Sequence, residues 1–248
     1  MAEPVKIAVI GGGVSGSSFI YGMRDQVAAG RVAISLFEHG RTPGGRASTR
    51  KTRERADLIY LMINHGSPEF YASTASFQSI CKGLANEGAI ALISTGKKPT
   101  DYFGTITSNG SFVPDAARGA PSYYGGKDGM ATFSEALQRG GDLVSPPLAL
   151  AHYNTVVSNL TPLGADSGGG WRLSSRSGES LGDFDWVVVS SATASHPRWE
   201  KLFGAPAPLA LAAKARGDPA LDVAVATIGS MAFKVGDPPP PPPPPPPP

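Results

Sequence analysis

The sequence predicts an α/β protein that opens with a β–α–β unit and continues into a partly antiparallel β region. Three observations carry this. A short, β-branched apolar run, Val5–Ile10, stops at glycines, and a second such run, Val32–Phe37, ends in the acid Glu38. Between them Val14–Ala29 reads as a helix closed by Gly30, so strand, turn, helix and strand fit the length of one β–α–β unit. Farther on, turn-rich aromatic segments interrupt the alternation, as an inserted antiparallel region would.

The remaining elements follow in order. Gly40–Arg55 reads as a loop, and the apolar run Leu58–Ile63 leads into Asn64-His65-Gly66. A helix is predicted over Ser76–Asn86, antiparallel strands and loops over Tyr102–Val113 and Tyr123–Gly126, and a helix over Met130–Gln138. Strands are predicted over Tyr153–Leu160 and Trp171–Ser174, on either side of the loop Gly164–Gly170. Phe184–Ser190 contains Trp186-Val187-Val188-Val189, which reads as a fully buried strand, and Ala210–Arg216 as a short helix. Pro238–Pro248 lacks amide donors and predicts a polyproline II rod of about 34 Å. Such a tail suits either a solvated low-complexity end or a ligand for an aromatic-lined groove of the SH3, WW or profilin kind.

Composition narrows the function. The 248 residues are 41% hydrophobic and 17% charged, enough apolar surface for a core. The formal charge of +2 is too balanced to suggest nucleic acid as the main partner. The basic cluster Arg46, Arg50, Lys51, Arg53 and Arg55 reads as a solvated loop. One cysteine, Cys81, excludes an internal disulfide framework and a multi-cysteine metal site, and a buried, unreactive thiol is expected there. His152 and His196 lack nearby ligand partners, and no metal is expected. No run approaches the roughly 18 apolar residues of a membrane span. The first strand begins four residues after Met1, leaving no leader ahead of it, so the expectation is a cytoplasmic protein.

Gly11-Gly12-Gly13-Val14-Ser15-Gly16 has the spacing G-x-G-x-x-G. In so glycine-rich a chain the spacing alone arises about once in 512 windows, so its context must supply the specificity. Here it follows a strand, opens a helix and stands 22 residues before Glu38 at the end of the next strand, the dinucleotide-binding arrangement. Gly11 permits the tight turn, Gly13 allows close approach of a pyrophosphate, and Gly16 brings helix and strand together. The pyrophosphate would face the free N–H groups that open the helix at Val14 and Ser15, and Glu38 would accept from ribose hydroxyls. Gly11–Ser17 also nearly fits a P-loop, but Ser17 occupies the lysine position, which argues against nucleotide hydrolysis.

After Glu38 comes His39-Gly40-Arg41-Thr42-Pro43-Gly44-Gly45-Arg46, and later Asn64-His65-Gly66-Ser67-Pro68-Glu69-Phe70-Tyr71. The first stretch resembles the flavin-containing amine oxidase superfamily, and the second its renalase-like branch. Gly104–Pro114, Gly129–Leu137 and Phe184–Ala192 resemble that branch more loosely. The resemblance implies a Rossmann-type FAD-binding domain with an inserted, partly antiparallel substrate region and an incomplete C-terminal part. It implies non-covalent FAD held by Gly11, Gly13, Val14, Ser15, Gly16 and Glu38, by the Gly44-Gly45-Arg46 loop, by His65 and Gly66 near the flavin end, and by Val156 or Val157 at the adenine. The sequence departs from the family pattern at Ile20 (usually small), Asn64 (usually acidic) and Ser67-Pro68-Glu69. The family also continues for roughly a hundred residues where Pro238–Pro248 begins.

The resulting expectation is an FAD-dependent oxidoreductase that takes a hydride from an amine or dihydropyridine-like small molecule, with O2 as acceptor. The expected divisions are FAD-binding parts at 1–75 and 128–200, a substrate-region insertion at 76–127, the start of a further segment at 201–237, and the tail at 238–248. Tyr102, Phe103, Tyr123 and Tyr124 are candidates to line an apolar pocket or to form ordinary core. No catalytic base is assigned. The alternative is a catalytically incomplete FAD- or nucleotide-binding fragment, or an interaction protein with a proline-rich tail. An NAD-dependent enzyme shares the first motif but leaves Gly44-Gly45-Arg46 without a role.

Overall fold

The computed structural model describes residues 3–51, 62–64, 66–92, 104–114, 122–126, 128–164, 169–191, 200 and 206–207. His65, Tyr102, Phe103, Arg53, Arg55, His196, most of the 58–63 run, the 210–216 helix and the proline tail lie outside the described residues.

The chain opens as predicted with β1 (Val5–Ile10), α1 (Val14–Gly22) and, after a further short helix α2 (Arg24–Ala28), β2 (Val32–Phe37). The single helix expected over Val14–Ala29 is broken at Met23. The Met23 N–H is shared between the carbonyls of Phe19 and Ile20 at 3.1 Å each, so the last turn tightens directly after the weak helix former Gly22. Gly30, at φ 67°, ends α2 in the left-handed region that glycine reaches without strain.

The predicted loop Gly40–Arg55 is not all loop. It holds a single 3-10 turn, Gly45–Ala47, and a strand β3 (Thr49–Lys51) that pairs antiparallel with β4 (Met62–Asn64). Then come β5 (Phe70–Tyr71), α3 (Ala75–Asn86), β6 (Ile90–Leu92), β7 (Gly104–Ile106), β8 (Phe112–Pro114), β9 (Ser122–Gly125), α4 (Ala131–Gln138) and β10 (Ala149–His152). Three more strands, β11 (Val157–Pro162), β12 (Trp171–Ser175) and β13 (Ser180–Phe184), precede β14 (Trp186–Val189).

The predicted strand Tyr153–Leu160 starts later than expected: residues 153–156 form a turn, and the strand begins at Val157. Asn154 takes φ 54°, a left-handed conformation that asparagine tolerates better than most residues. The alanine-rich β10 was not anticipated. It forms because its edge pairs in parallel with β2, Ala149 opposite Ile34 through His152 opposite Phe37.

Two units can be distinguished, residues 1–156 with 184–190, and residues 157–183 with those after 190. In the first, β10, β2, β1 and β14 form a parallel sheet in that order. One core lies between this sheet and α1, formed by Ile7, Val9, Ile20, Ile34, Leu36 and Ala149. Ile20 is wholly buried there. A second core joins α3, α4, β6 and β9 through Cys81, Leu84, Ile90, Tyr123, Phe133 and Leu137. The ring of Phe70 stacks on Phe133 at 4.5 Å between centroids. Tyr123 is therefore core, whereas Tyr124, its neighbour on the other face of β9, is exposed.

The reading of Trp186–Val189 as fully buried is corrected: Trp186 is 67% exposed, and the strand lies at an edge of the sheet among the described residues. Among the described residues only one of its sides is paired, so its apolar sequence does not by itself mark a central position. The second unit holds the β11–β12–β13 sheet, with Leu173 buried and Arg172 gripping Asp183 through two hydrogen bonds of 2.7 Å.

Cys81 is wholly buried, and that burial pushes its thiol up to about 11. A neutral, enclosed thiol should react with an aromatic disulfide reagent at pH 8 only through opening of the fold. Labelling should be slow in buffer and complete within seconds in denaturant. Rapid labelling of the native protein would contradict the packing around α3.

Candidate functional site

The candidate site lies where β1, β2 and the loop after β2 meet. Its starting point is Gly11, whose N–H donates to the Phe37 carbonyl at 2.8 Å while φ turns to 107°. That conformation carries the chain out of β1 and away from β2, and a side chain would strain it. The N–H of the next residue, Gly12, donates to Glu38 Oε2 at 2.6 Å, and Gly40 N–H donates to Oε1 at 2.5 Å. Both carboxylate oxygens are thus held by backbone donors. Each keeps a lone pair free for a further hydroxyl, and each charged hydrogen bond contributes about 1.5–3 kcal/mol. Among the described residues no cation pairs with Glu38.

A second glycine segment is packed on the first. Gly44 N–H donates to the Gly12 carbonyl at 2.8 Å, and Gly13 and Gly44 form an isolated parallel bridge. A Cβ on Gly45, which takes φ 56°, would come within 3.2 Å of Gly13 Cα, whereas a Cβ on Gly13 would meet Gly45 at an ordinary 3.7 Å, so it is Gly45 that the close approach of backbone to backbone favours. Arg46 follows in the 3-10 turn, exposed and without an ion pair among the described residues. Its carbonyl accepts the Ser67 N–H at 3.0 Å and lies directly against Gly66, where a Cβ would collide with it.

The start of α1 is open to an anion. No side chain caps it, its first turn holds no acid, and its ladder begins with Ser17 N–H donating to the Gly13 carbonyl at 3.0 Å. Gly16 faces inward at this point. A Cβ there would run into the Gly11 carbonyl and approach Ser190 Oγ to 2.8 Å and Val9 Cγ1 to 3.2 Å.

The structure therefore brings together Gly11, Gly13, Val14, Ser15, Gly16, Glu38, Gly44, Gly45, Arg46 and Gly66 within one unit. It does not place His65, which is outside the described residues, and Val157 opens β11 in the other unit. His152 has a structural place, its ring stacked on Phe37 at 4.9 Å between centroids. Among the described residues no cluster of His, Cys, Asp or Glu could hold a metal ion.

Three polar residues that sequence reasoning missed support the site. Ser190 Oγ lies 2.9 Å from the Gly11 carbonyl and 3.0 Å from that of Ile10, so its hydroxyl donates across the end of β1. Asn64 Oδ1 accepts from Met130 N–H at 3.0 Å and from the Thr49 hydroxyl at 2.9 Å, while Thr49 Oγ1 accepts from Ala131 N–H at 3.1 Å. Together these two side chains cap α4 from 66 and 82 residues away. Asn64 Oδ1 thus serves the fold. Only its position before His65-Gly66 offered a signal.

The geometry is that of a Rossmann-like nucleotide-binding domain: a parallel sheet, a glycine turn leading into a helix, and an acid at the end of the second strand. Residues 9–80 match the family described as NAD(P)-binding Rossmann-like domain. No protein of curated function matches the chain by sequence. Several solved structures are similar at low identity. A salicylate hydroxylase in a substrate complex is 14% identical, with 76% of this chain and 36% of that one covered and a TM-score of 0.41. The CLA-producing fatty acid isomerase from P. acnes is 14% identical, with 82% and 61% covered and a TM-score of 0.45. A 2-methyl-3-hydroxypyridine-5-carboxylic acid oxygenase is 14% identical, with 74% and 38% covered and a TM-score of 0.42. The chain thus spans between 36% and 61% of the length of these three proteins. No helix among the described residues is long and apolar enough to cross a membrane.

Gly16→Ala should destabilise the protein by about 1–3 kcal/mol in denaturant unfolding, because the added methyl meets backbone that cannot yield. Gly83→Ala is the opposite case. Gly83 sits in exposed helix with nothing within 4 Å of the added methyl, and the change should stabilise by up to about 1 kcal/mol. Equal effects from the two substitutions would contradict the packing at the turn.

Proposed function

We propose that this chain binds FAD non-covalently and belongs to an oxidoreductase of the renalase-like kind, acting on an amine or a dihydropyridine-like small molecule with O2 as electron acceptor. The observation that supports this best is the contact between the two glycine segments. A nucleotide site of the simplest Rossmann kind needs only the turn at 11–16 and an acid at 38. Here Gly44-Gly45-Arg46 is also packed against that turn, Gly45 on Gly13, with a guanidinium one residue on that makes no ion pair among the described residues. A diphosphate at the start of α1 would be met by the helix N–H groups, and Arg46 would supply a cation to it.

Each residue has a separate part in this reading. Gly11 and Gly13 keep the turn low enough for phosphate oxygens to reach backbone donors. Glu38, its carboxylate oriented by Gly12 and Gly40, accepts from the adenosine ribose and repels a 2′-phosphate. Arg46 neutralises diphosphate charge, and Gly66 is pressed on the Arg46 carbonyl. Bound FAD would supply the hydride acceptor, which is why the protein needs no catalytic triad and no base is assigned.

A second reading, NAD(P) as the nucleotide, is favoured by the family match over residues 9–80. It uses the same turn and Glu38, and it leaves the packed Gly44-Gly45-Arg46 loop idle.

The absorption spectrum of the purified chain tests the proposal directly. FAD binding is expected to give a band near ~450 nm and about one FAD released per chain on denaturation. Arg46→Ala should weaken FAD binding by roughly tenfold or more, with little change in thermal stability, since it removes one charged contact from an exposed side chain. A colourless protein that takes up no added FAD but binds NADH would overturn the FAD reading in favour of the second one.

A further inference from the structure

We propose that Gln138 is a positioning residue of the nucleotide site, acting on the glycine turn through Ser17. The inference rests on the nucleotide-binding reading above and assigns a part to a buried polar network which that reading leaves unused.

Gln138 closes α4, where it is buried along with Phe133, Ala136 and Leu137 and with the smaller polar residues Thr132 and Ser134. It is itself buried, yet it carries an amide. Its Nε2 donates to Ser17 Oγ at 2.9 Å, and the Ser17 hydroxyl, fully buried, is directed at the Gly12 carbonyl at 3.4 Å. Its Oε1 accepts from the Tyr153 hydroxyl at 3.3 Å. Burial, reinforced by the charges of Glu135 and Glu38, pushes the Tyr153 phenol up, so this group remains a donor.

Tyr153 lies between the two residues that hold the backbone of Glu38. Glu38 N–H donates to the His152 carbonyl at 2.9 Å, and Thr155 N–H donates to the Glu38 carbonyl at 3.0 Å. The Glu38 carboxylate in turn accepts from Gly12 N–H. The path therefore closes on itself: Gly12, Glu38, the 152–155 turn, Gln138, Ser17 and Gly12 again.

This ring encloses residues 13–16, whose N–H groups would face the diphosphate. Gly12 is held before them and Ser17 after them. The amide orientation matters, because with Nε2 toward Ser17 the serine accepts from the glutamine and keeps its own proton for Gly12. An apolar side chain there would take these contacts from Ser17 and Tyr153, so the consequence of an amide there is directional.

The test compares Gln138→Met, Ser17→Ala, Tyr153→Phe and the Gln138→Met/Ser17→Ala double variant, with Leu84→Ala as a variant that lowers stability away from the site. ADP and FAD dissociation constants are measured by titration calorimetry, alongside thermal midpoints. Gln138→Met should weaken ADP binding on the order of tenfold, the effect of losing a supporting contact, and Tyr153→Phe should weaken it less. The double variant should bind no worse than the weaker single one, because both substitutions cut the same ring. Should Gln138→Met fail to fold, Ser17→Ala and Tyr153→Phe decide the matter by the same criterion. The proposal is overturned if ADP binds these variants as it binds the wild type, if the single effects add fully, or if Leu84→Ala weakens ADP equally at an equal loss of thermal midpoint. Binding of neither ADP nor FAD to the wild type would instead remove the nucleotide reading, and this inference with it.

Discussion

The peptide groups on either side of Gly12 are the constraint on which the site depends. The N–H at this residue is taken by the Glu38 carboxylate, and the carbonyl by Gly44 N–H. A turn between strand and helix would otherwise be free to rotate, since glycine imposes little preference of its own. With both groups committed to different segments, rotation would break a charged hydrogen bond and a backbone one together. The second strand and the loop beyond it thereby determine the shape of the turn that follows the first strand.

Apolar packing and polar contacts divide the remaining work. The sheet is positioned by burial of Ile7, Val9, Ile34 and Leu36, and α3 and α4 by the cluster around Cys81, Phe133 and Tyr123. Burial of this kind is worth about 1.5–3 kcal/mol for each large side chain, but it is not directional. Angstrom-scale placement falls to hydrogen bonds between residues far apart in sequence: Asn64 and Thr49 at the start of α4, Ser190 at the end of β1, and Gln138 at Ser17. Their net energies are smaller, about 0.5–1.5 kcal/mol each, and their geometry is strict.

Much of the first 40 residues was legible because their signals are local. Val5–Ile10 and Val32–Phe37 are strands by composition, Gly30 ends its helix by its conformation, and the glycine spacing finds its place by what flanks it. Errors arose where a partner elsewhere decided the outcome. Ala149–His152 has no strand-like composition and becomes a strand only against β2. Thr49–Lys51 does so only against β4. Trp186–Val189 has the composition of a central strand, yet leaves its tryptophan exposed, because burial depends on neighbours that the run does not encode.

The sequence by itself determined the order of the glycine turn, helix and acid, and with it the kind of ligand proposed for the site. These depend on backbone conformations and charges carried by the residues themselves. Only the tertiary structure decided that Gly45 would rest on Gly13, that Glu38 would hold Gly12 and Gly40, and that Ser17, Gln138 and Tyr153 would join behind the turn. Those contacts span up to 121 residues of chain. A donor and an acceptor so far apart have no local signature, and they meet only once burial of the apolar faces has set the distances between their elements.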